Sequence, residues 1–227
     1  MSTANTQPRK SAGPRSTGMT QRERRELSER RVISAALKVI AQHGVAGATL
    51  AEIGETAGYS RGLPAHLFGN KDMLLAECMR RLMFDYWTDR FPEIGSDGPF
   101  ATLVTAVDRW LHELTELPER PRAHLLLLQE AAARDAETIY PEFVPVARTL
   151  VKGSQSRLYA YILAGQDSNE IRPEIDAKFE SLIIHTTLRG VSQRWLINDQ
   201  SVCITDFRDK YIEYLKDRLL IQKTTGG

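Results

Sequence analysis

At 227 residues the chain has room for one large domain or two small ones, and its 42% hydrophobic and 26% charged content is ordinary for a globular protein. Collagen-like, wholly disordered and disulfide-framework classes are excluded. The net charge of +1 hides a split: residues 1–71 hold 11 Lys+Arg against 5 Asp+Glu, and the remainder 19 against 24, so a polyanion partner is expected for the first third alone.

No run approaches the ~18 apolar residues of a membrane span, and no membrane partner is read. Arg9, Lys10 and Arg15 are followed by no apolar region, so no secretory leader is read either. Cys78 and Cys203 form no CxxC or zinc spacing. They are read as reduced thiols of a cytoplasmic protein.

Residues 1–20, rich in Ser, Thr, Gly and Pro, are expected to be a disordered basic arm. Val32, Ile33, Ala36, Leu37, Ile40 and Ala41 then mark one helical face, which predicts a first helix over 21–43 ended by Gly44. Thr49 followed by Glu52 is a capping box that opens a short second helix. Gly58 supplies a left-handed turn residue, and Ser60 is expected to cap a third helix to about 68. Asn70 caps a fourth. Residues 91–99 form a loop with two Pro and two Gly.

Further helices are expected over about 99–116, 118–134, 146–163, 173–197 and 204–221, with Pro173 opening the fourth of these. No alternating strand pattern occurs. The fold expected is all-α.

Two short helices joined by Gly58-Tyr59-Ser60 make a helix-turn-helix, with Gly54 as the small residue where the helices cross. Such a unit holds the N-terminal turn of its second helix in the major groove. Packing alone also produces helical hairpins of this kind.

The run from Arg31 to Leu75 contains Ala46-Gly-Ala-Thr-Leu-Ala-Glu-Ile53, Ala57-Gly-Tyr-Ser-Arg-Gly62 and His66-Leu-Phe-Gly-Asn-Lys71-Asp-Met-Leu-Leu75. It resembles the tetracycline-repressor (TetR) family of bacterial transcriptional regulators. The resemblance implies three domain-level segments: the arm 1–20, a helix-turn-helix DNA-binding domain over 21–70, and a helical effector-binding and dimerisation domain over 71–227.

It also implies a set of DNA-facing residues. Thr49 meets a phosphate at the start of the positioning helix. Ser60, Arg61, Gly62 and Leu63 form the exposed first turn of the recognition helix. Arg61 can donate a fork of two bonds to guanine O6 and N7, Gly62 lets backbone approach, His66 touches phosphate and Lys71 clamps one at the start of the fourth helix. Pro64 and Ala65 depart from the family pattern, which leaves the register of base contacts open.

The implied partners are double-stranded, palindromic operator DNA, a second copy of the chain, and a small effector. Two-fold symmetry places recognition helices about 34–36 Å apart. The dimer would form through the last two helices, for which Ile184, Leu188, Val191, Trp195, Phe207 and Tyr211 provide apolar stripes; both stripes could equally be internal core. Effector contacts are expected from an apolar lining of Leu125 to Leu128, Phe143, Tyr159 and Ile162, with Trp110, His112, Gln129, His185 and Arg189 to orient the ligand. Each could equally be ordinary core, and an apolar wall with few polar groups suits a small hydrophobic ligand. No HExxH, GxSxG, P-loop or metal-ligand His pair is present, and neither cofactor nor metal is expected. The function these features imply is an effector-responsive repressor. An effector-independent architectural DNA-binding protein and an all-α enzyme with a structural hairpin are the alternatives.

Overall fold

The computed structural model describes residues 19–198 and 201–221, so the predicted arm lies, apart from Met19 and Thr20, outside the described residues. The described residues form ten helices: α1 (Gln21–Gly47), α2 (Leu50–Thr56), α3 (Leu63–Phe68), α4 (Lys71–Asp89), α5 (Pro99–Glu116), α6 (Glu119–Ala131), α7 (Ala136–Ile139), α8 (Phe143–Asp167), α9 (Ala177–Leu196) and α10 (Ile204–Leu219). Their only β-type pairing is an isolated antiparallel bridge between Ile171 and Leu220.

Most boundaries follow from end chemistry. Thr20 and Glu23 form a reciprocal capping box on α1. Gly44 breaks the same helix at φ +72°, where an L side chain would be strained. Asn70 Oδ1 accepts from the Met73 amide at 2.9 Å and starts α4.

Three expectations are corrected. Ser60 does not cap α3, which begins only at Leu63 with Gly62 before it and Pro64 in its first turn, because proline fits an early helical position but cannot lie deeper. Pro173 does not open α9; Asp176 does, accepting from the Lys178 and Phe179 amides at 3.0 Å each. The helix expected from about 146 starts earlier: α8 begins at Phe143 and tolerates Pro145 in its first turn.

Two apolar clusters hold the fold. The first joins α1–α4 to residues of α6, α7 and the start of α8, among them Val32, Ile40, Ile53, Leu75, Leu127 and Phe143. The second fills the space among α5, the C-terminal half of α8, α9 and α10, around Leu111, Ile162, Ile184, Leu188 and Leu215. The boundary expected at residue 70 therefore falls inside one continuous core. Across it, Arg122 Nε on α6 donates to the Ala41 carbonyl on α1 at 2.8 Å.

The predicted pairing stripe is mostly interior. Ile184, Leu188, Val191 and Tyr211 are buried within the single chain, and Trp195 and Phe207 are half-buried beside them. The reason is that α9 is apolar on two sides. Its other side exposes Phe179, Leu182, Ile183 and Ile197, with Tyr214 of α10 also exposed.

Candidate nucleic-acid interface and effector region

The helix-turn-helix is built around a close crossing. A Cβ at Gly54 would stand 2.6 Å from the Ser60 carbonyl oxygen and 3.2 Å from Pro64 Cδ, so only glycine lets α2 meet the turn and α3 here. Gly58 takes φ +77° to reverse the chain. The next residue, Tyr59, is half-buried, and the Ser28 hydroxyl donates to its Oη at 3.3 Å, tying the turn to α1. That hydrogen bond lowers the Tyr59 pKa from the ordinary tyrosine value.

Around this frame Thr49, Ser60, Arg61, Gly62 and His66 are exposed and Leu63 is half-buried. In the chain they run from the N-cap of α2 through the turn into α3. The Thr49 oxygen accepts from the Glu52 amide at 3.2 Å, leaving its hydroxyl proton to donate outward. Glu52 itself lies 3.4 Å from His43. Arg61 is paired with Glu55 at 2.5 Å, with the guanidinium side chain 74% exposed. An ion pair this exposed is worth about 0–1 kcal/mol, so a phosphate or a guanine edge can take its place.

Lys71 stands apart from the other six. It is half-buried, and its Nζ donates to the Val45 carbonyl just past the Gly44 break. Burial lowers its pKa from the ordinary lysine value, with Glu130 opposing the shift. The expected free phosphate clamp is thus, in this arrangement, a strut between α4 and α1.

Its neighbour Asp72 was not singled out in the sequence, where an acid in a first turn only complements the helix dipole. Its two oxygens accept from the Glu142 and Phe143 amides at 3.1 and 3.0 Å and so cap α8 from α4. Glu130 of α6 acts on both Lys71 and Tyr140, raising the tyrosine pKa together with burial. The start of α4 is therefore held by hydrogen bonds to α1 and to the start of α8, with Glu130 at the end of α6 acting on Lys71 through charge alone.

The residues expected to contact an effector separate into two groups. Trp110, His185 and Arg189 come together: Trp110 packs edge-on to His185 with ring centroids 5.8 Å apart, and its Nε1 donates to Ser192 Oγ at 3.0 Å. Arg90, 2% exposed, lies over the Trp110 ring at 4.3 Å and pairs with Glu113 at 2.5 Å. This buried ion pair joins positions 23 apart, and no sequence signal announced it. His185 is pushed down to about 4, first by burial and then by Arg189 and Arg90. His124 shifts the same way for the same reasons.

Four of the other expected contacts are elsewhere. His112, Gln129 and Tyr159 are exposed on outer faces, and Phe143 is fully buried in the first core, edge-on to Tyr140. Residue type alone could not distinguish these inward from outward positions. Among the described residues no group of three or more His, Cys, Asp and Glu could hold a metal ion, and no helix is long and apolar enough to cross a membrane.

Residues 32–78 match the description "Bacterial regulatory proteins, tetR family". The HTH-type transcriptional regulator BetI of Burkholderia thailandensis is 39% identical over 85 residues, which is 37% of this chain and 44% of that relative. The alignment thus takes in less than half of the relative's length.

Solved structures extend the likeness in fold to most of the chain. A putative transcriptional regulator from Saccharomonospora viridis in complex with choline superposes with a TM-score of 0.73 at 18% identity, covering 87% of this chain and 100% of that one. The regulator FadR from Bacillus subtilis in complex with stearoyl-CoA gives 0.67 at 20% identity, covering 82% and 96%.

Proposed function

From its place in the tetR family of bacterial regulatory proteins, which rests on residues 32–78, we propose that this chain is a DNA-binding transcriptional regulator. In this reading it binds palindromic operator DNA as a homodimer, represses there, and is released when a small hydrophobic effector enters the C-terminal helices. One observation carries the reading: the exposed edge of Thr49, Ser60, Arg61, Gly62 and His66, held in fixed geometry by the Gly54 crossing. Arg61 leaves Glu55 to donate to a base edge, and Thr49 and the first turn of α3 meet phosphates. Lys71 reaches a phosphate with the protons its Val45 bond leaves free, or acts only by fixing α4.

The homodimer is proposed to form on the outer side of α9, through Phe179, Leu182, Ile183 and Ile197, joined by Tyr214 of α10. These are the large apolar residues that the two helices leave exposed. Gly190, with open space where a Cβ would stand, permits close approach in the middle of that stripe.

Release follows from the joint at the start of α4. A ligand that shifts the end of α6 or the start of α8 displaces the partners of Lys71 and Asp72. It thereby turns α4 and the recognition helix it carries. Fold neighbours in complex with choline and with stearoyl-CoA support a ligand site on this scaffold whose occupants differ widely in chemistry.

The test is selection of duplexes from a random pool by the full-length protein, followed by fluorescence-anisotropy titration across a salt series. An enriched inverted repeat is expected, with log Kd linear in log salt. Arg61→Ala should relax preference at one position of each half-site by ~1–3 kcal/mol. Enrichment of no symmetric sequence would defeat the reading.

A further inference from the structure

The effector reading fixes a small, mostly apolar ligand but not its polar end, and the region around Arg189 supplies that end. A cleft of about 320 Å³ opens between the end of α6 and the first turns of α8, lined by Leu128, Ala131, Ala132, Ala147 and Val151, with Arg148, Lys152 and Arg189 as its charged residues. That volume is at the lower end of small-molecule sites. Arg148 is already paired, at 2.8 Å, with Glu137. Lys152 is exposed and Arg189 half-buried, the least exposed of the three cations.

Arg189 has no carboxylate and no hydrogen-bond partner among the described residues, and burial alone lowers its pKa. Fully burying a guanidinium without an anion is costly, and half-burial carries part of that cost. Arg90, the one fully buried arginine among the described residues, illustrates the pairing: it has Glu113. Behind Arg189 the field is positive enough to help hold His185 neutral.

We propose that this cleft binds a small amphipathic anion, its carboxylate or phosphate head on the Arg189 guanidinium and its hydrocarbon tail along Leu128, Ala131, Ala147 and Val151. The proposal rests on the effector reading and gives that effector its charge. Two parallel N–H donors of the fork match a carboxylate or phosphate edge. A neutral ligand leaves the half-buried charge unmatched, and a cation meets Arg189 and Lys152 with repulsion. The ligand also lies against the α6 and α8 turns that hold Glu130 and the Asp72-capped amides, next to the joint that carries α4.

Calorimetric titration of the full-length protein with octanoate, octyl phosphate, octanol and octylamine tests this. At least one of the two anions should bind ~10-fold or more tighter than octanol, the usual worth of a charged hydrogen bond, with octylamine weakest. Arg189→Met should remove that advantage while leaving octanol affinity within about twofold. Arg189→Lys should keep part of it. Because Arg189→Met deletes an unpaired half-buried charge, it should unfold no earlier than the parent without ligand.

Equal affinity for the anions and octanol, no binding of either anion, or an anion preference that survives Arg189→Met would each overturn the proposal. Operator titration with the same anion separates the two ideas. Tight, Arg189-dependent binding that leaves operator affinity unchanged would retain the anion site and defeat the effector reading.

Discussion

Asp72→Ala tests the joint between the two halves of the molecule. The carboxylate accepts two amide hydrogens at the start of α8, a helix of 25 residues, and no residue of α8's own N-cap position replaces it. Removing a capping acceptor costs ~0.5–2 kcal/mol, and removing a negative charge from a helix N-terminus a further ~0.3–1 kcal/mol. A loss of about 1–3 kcal/mol is therefore expected. For a chain of this size that lowers Tm by several degrees, at ~2–4 °C per kcal/mol. Asp72→Asn keeps one acceptor oxygen and should lose less. Urea unfolding followed by circular dichroism reads the effect as a lower midpoint at unchanged slope. A midpoint equal to the parent's would show that Asp72 does not cap α8. The same variant should also bring the ratio of operator affinities with and without ligand closer to one. Lost stability with that ratio intact would leave Asp72 a plain cap and place transmission elsewhere.

Gly54→Ala puts a methyl 2.6 Å from the Ser60 carbonyl; because backbone must yield, it should cost ~1–3 kcal/mol and abolish operator binding in anisotropy titrations at temperatures where the variant is still folded. Ile183→Glu, at an exposed position of α9, should leave helicity intact and halve the mass measured by sedimentation if the outer side of α9 pairs two copies; an unchanged dimer would move the interface elsewhere. Stability should also fall with acid: folded His185 lies near about 4, below its ordinary 6.5, so the unfolded state holds more protons between those values. The contribution is complete above about pH 6.5 and is lost as pH falls toward 4, by up to about 3 kcal/mol. His124 adds in the same direction. Thermal melts at stepped pH check this, and His185→Asn should flatten the curve.

Local chemistry was legible in the sequence and long-range pairing was not. Thr49, Asn70, Gly44 and Gly58 act on backbone within a few residues, so their roles show in spacing alone. Ser60 and Pro173 misled in the same way: the first lies three residues before its helix and the second four, because turn and proline residues mark a neighbourhood of helix starts without selecting the residue. On α9 the periodicity at 184, 188 and 191 correctly found an apolar side. Periodicity cannot say whether that side is covered by the same chain or by another, and the stripe at 179, 183 and 197 had the same claim. Asp72, Arg90 with Glu113, and the ties of Lys71 connect distant positions through charge, for which one sequence carries no pattern.

The size of the joint bears on how such a protein switches. Allosteric coupling is typically ~1–3 kcal/mol, about the worth of one helix cap. The first core runs without a break from α1 through α4 into α6 and α8, and packed interiors shift between arrangements rather than compress. A ligand therefore need not unfold or loosen anything between the cleft and the DNA edge. It has only to change the relative free energy of two placements of α4 by an amount comparable to the Asp72 cap, through the turns that Asp72, Lys71 and Glu130 share. A joint of many strong contacts would hold α4 in one placement against any small ligand, and a joint of none would transmit nothing.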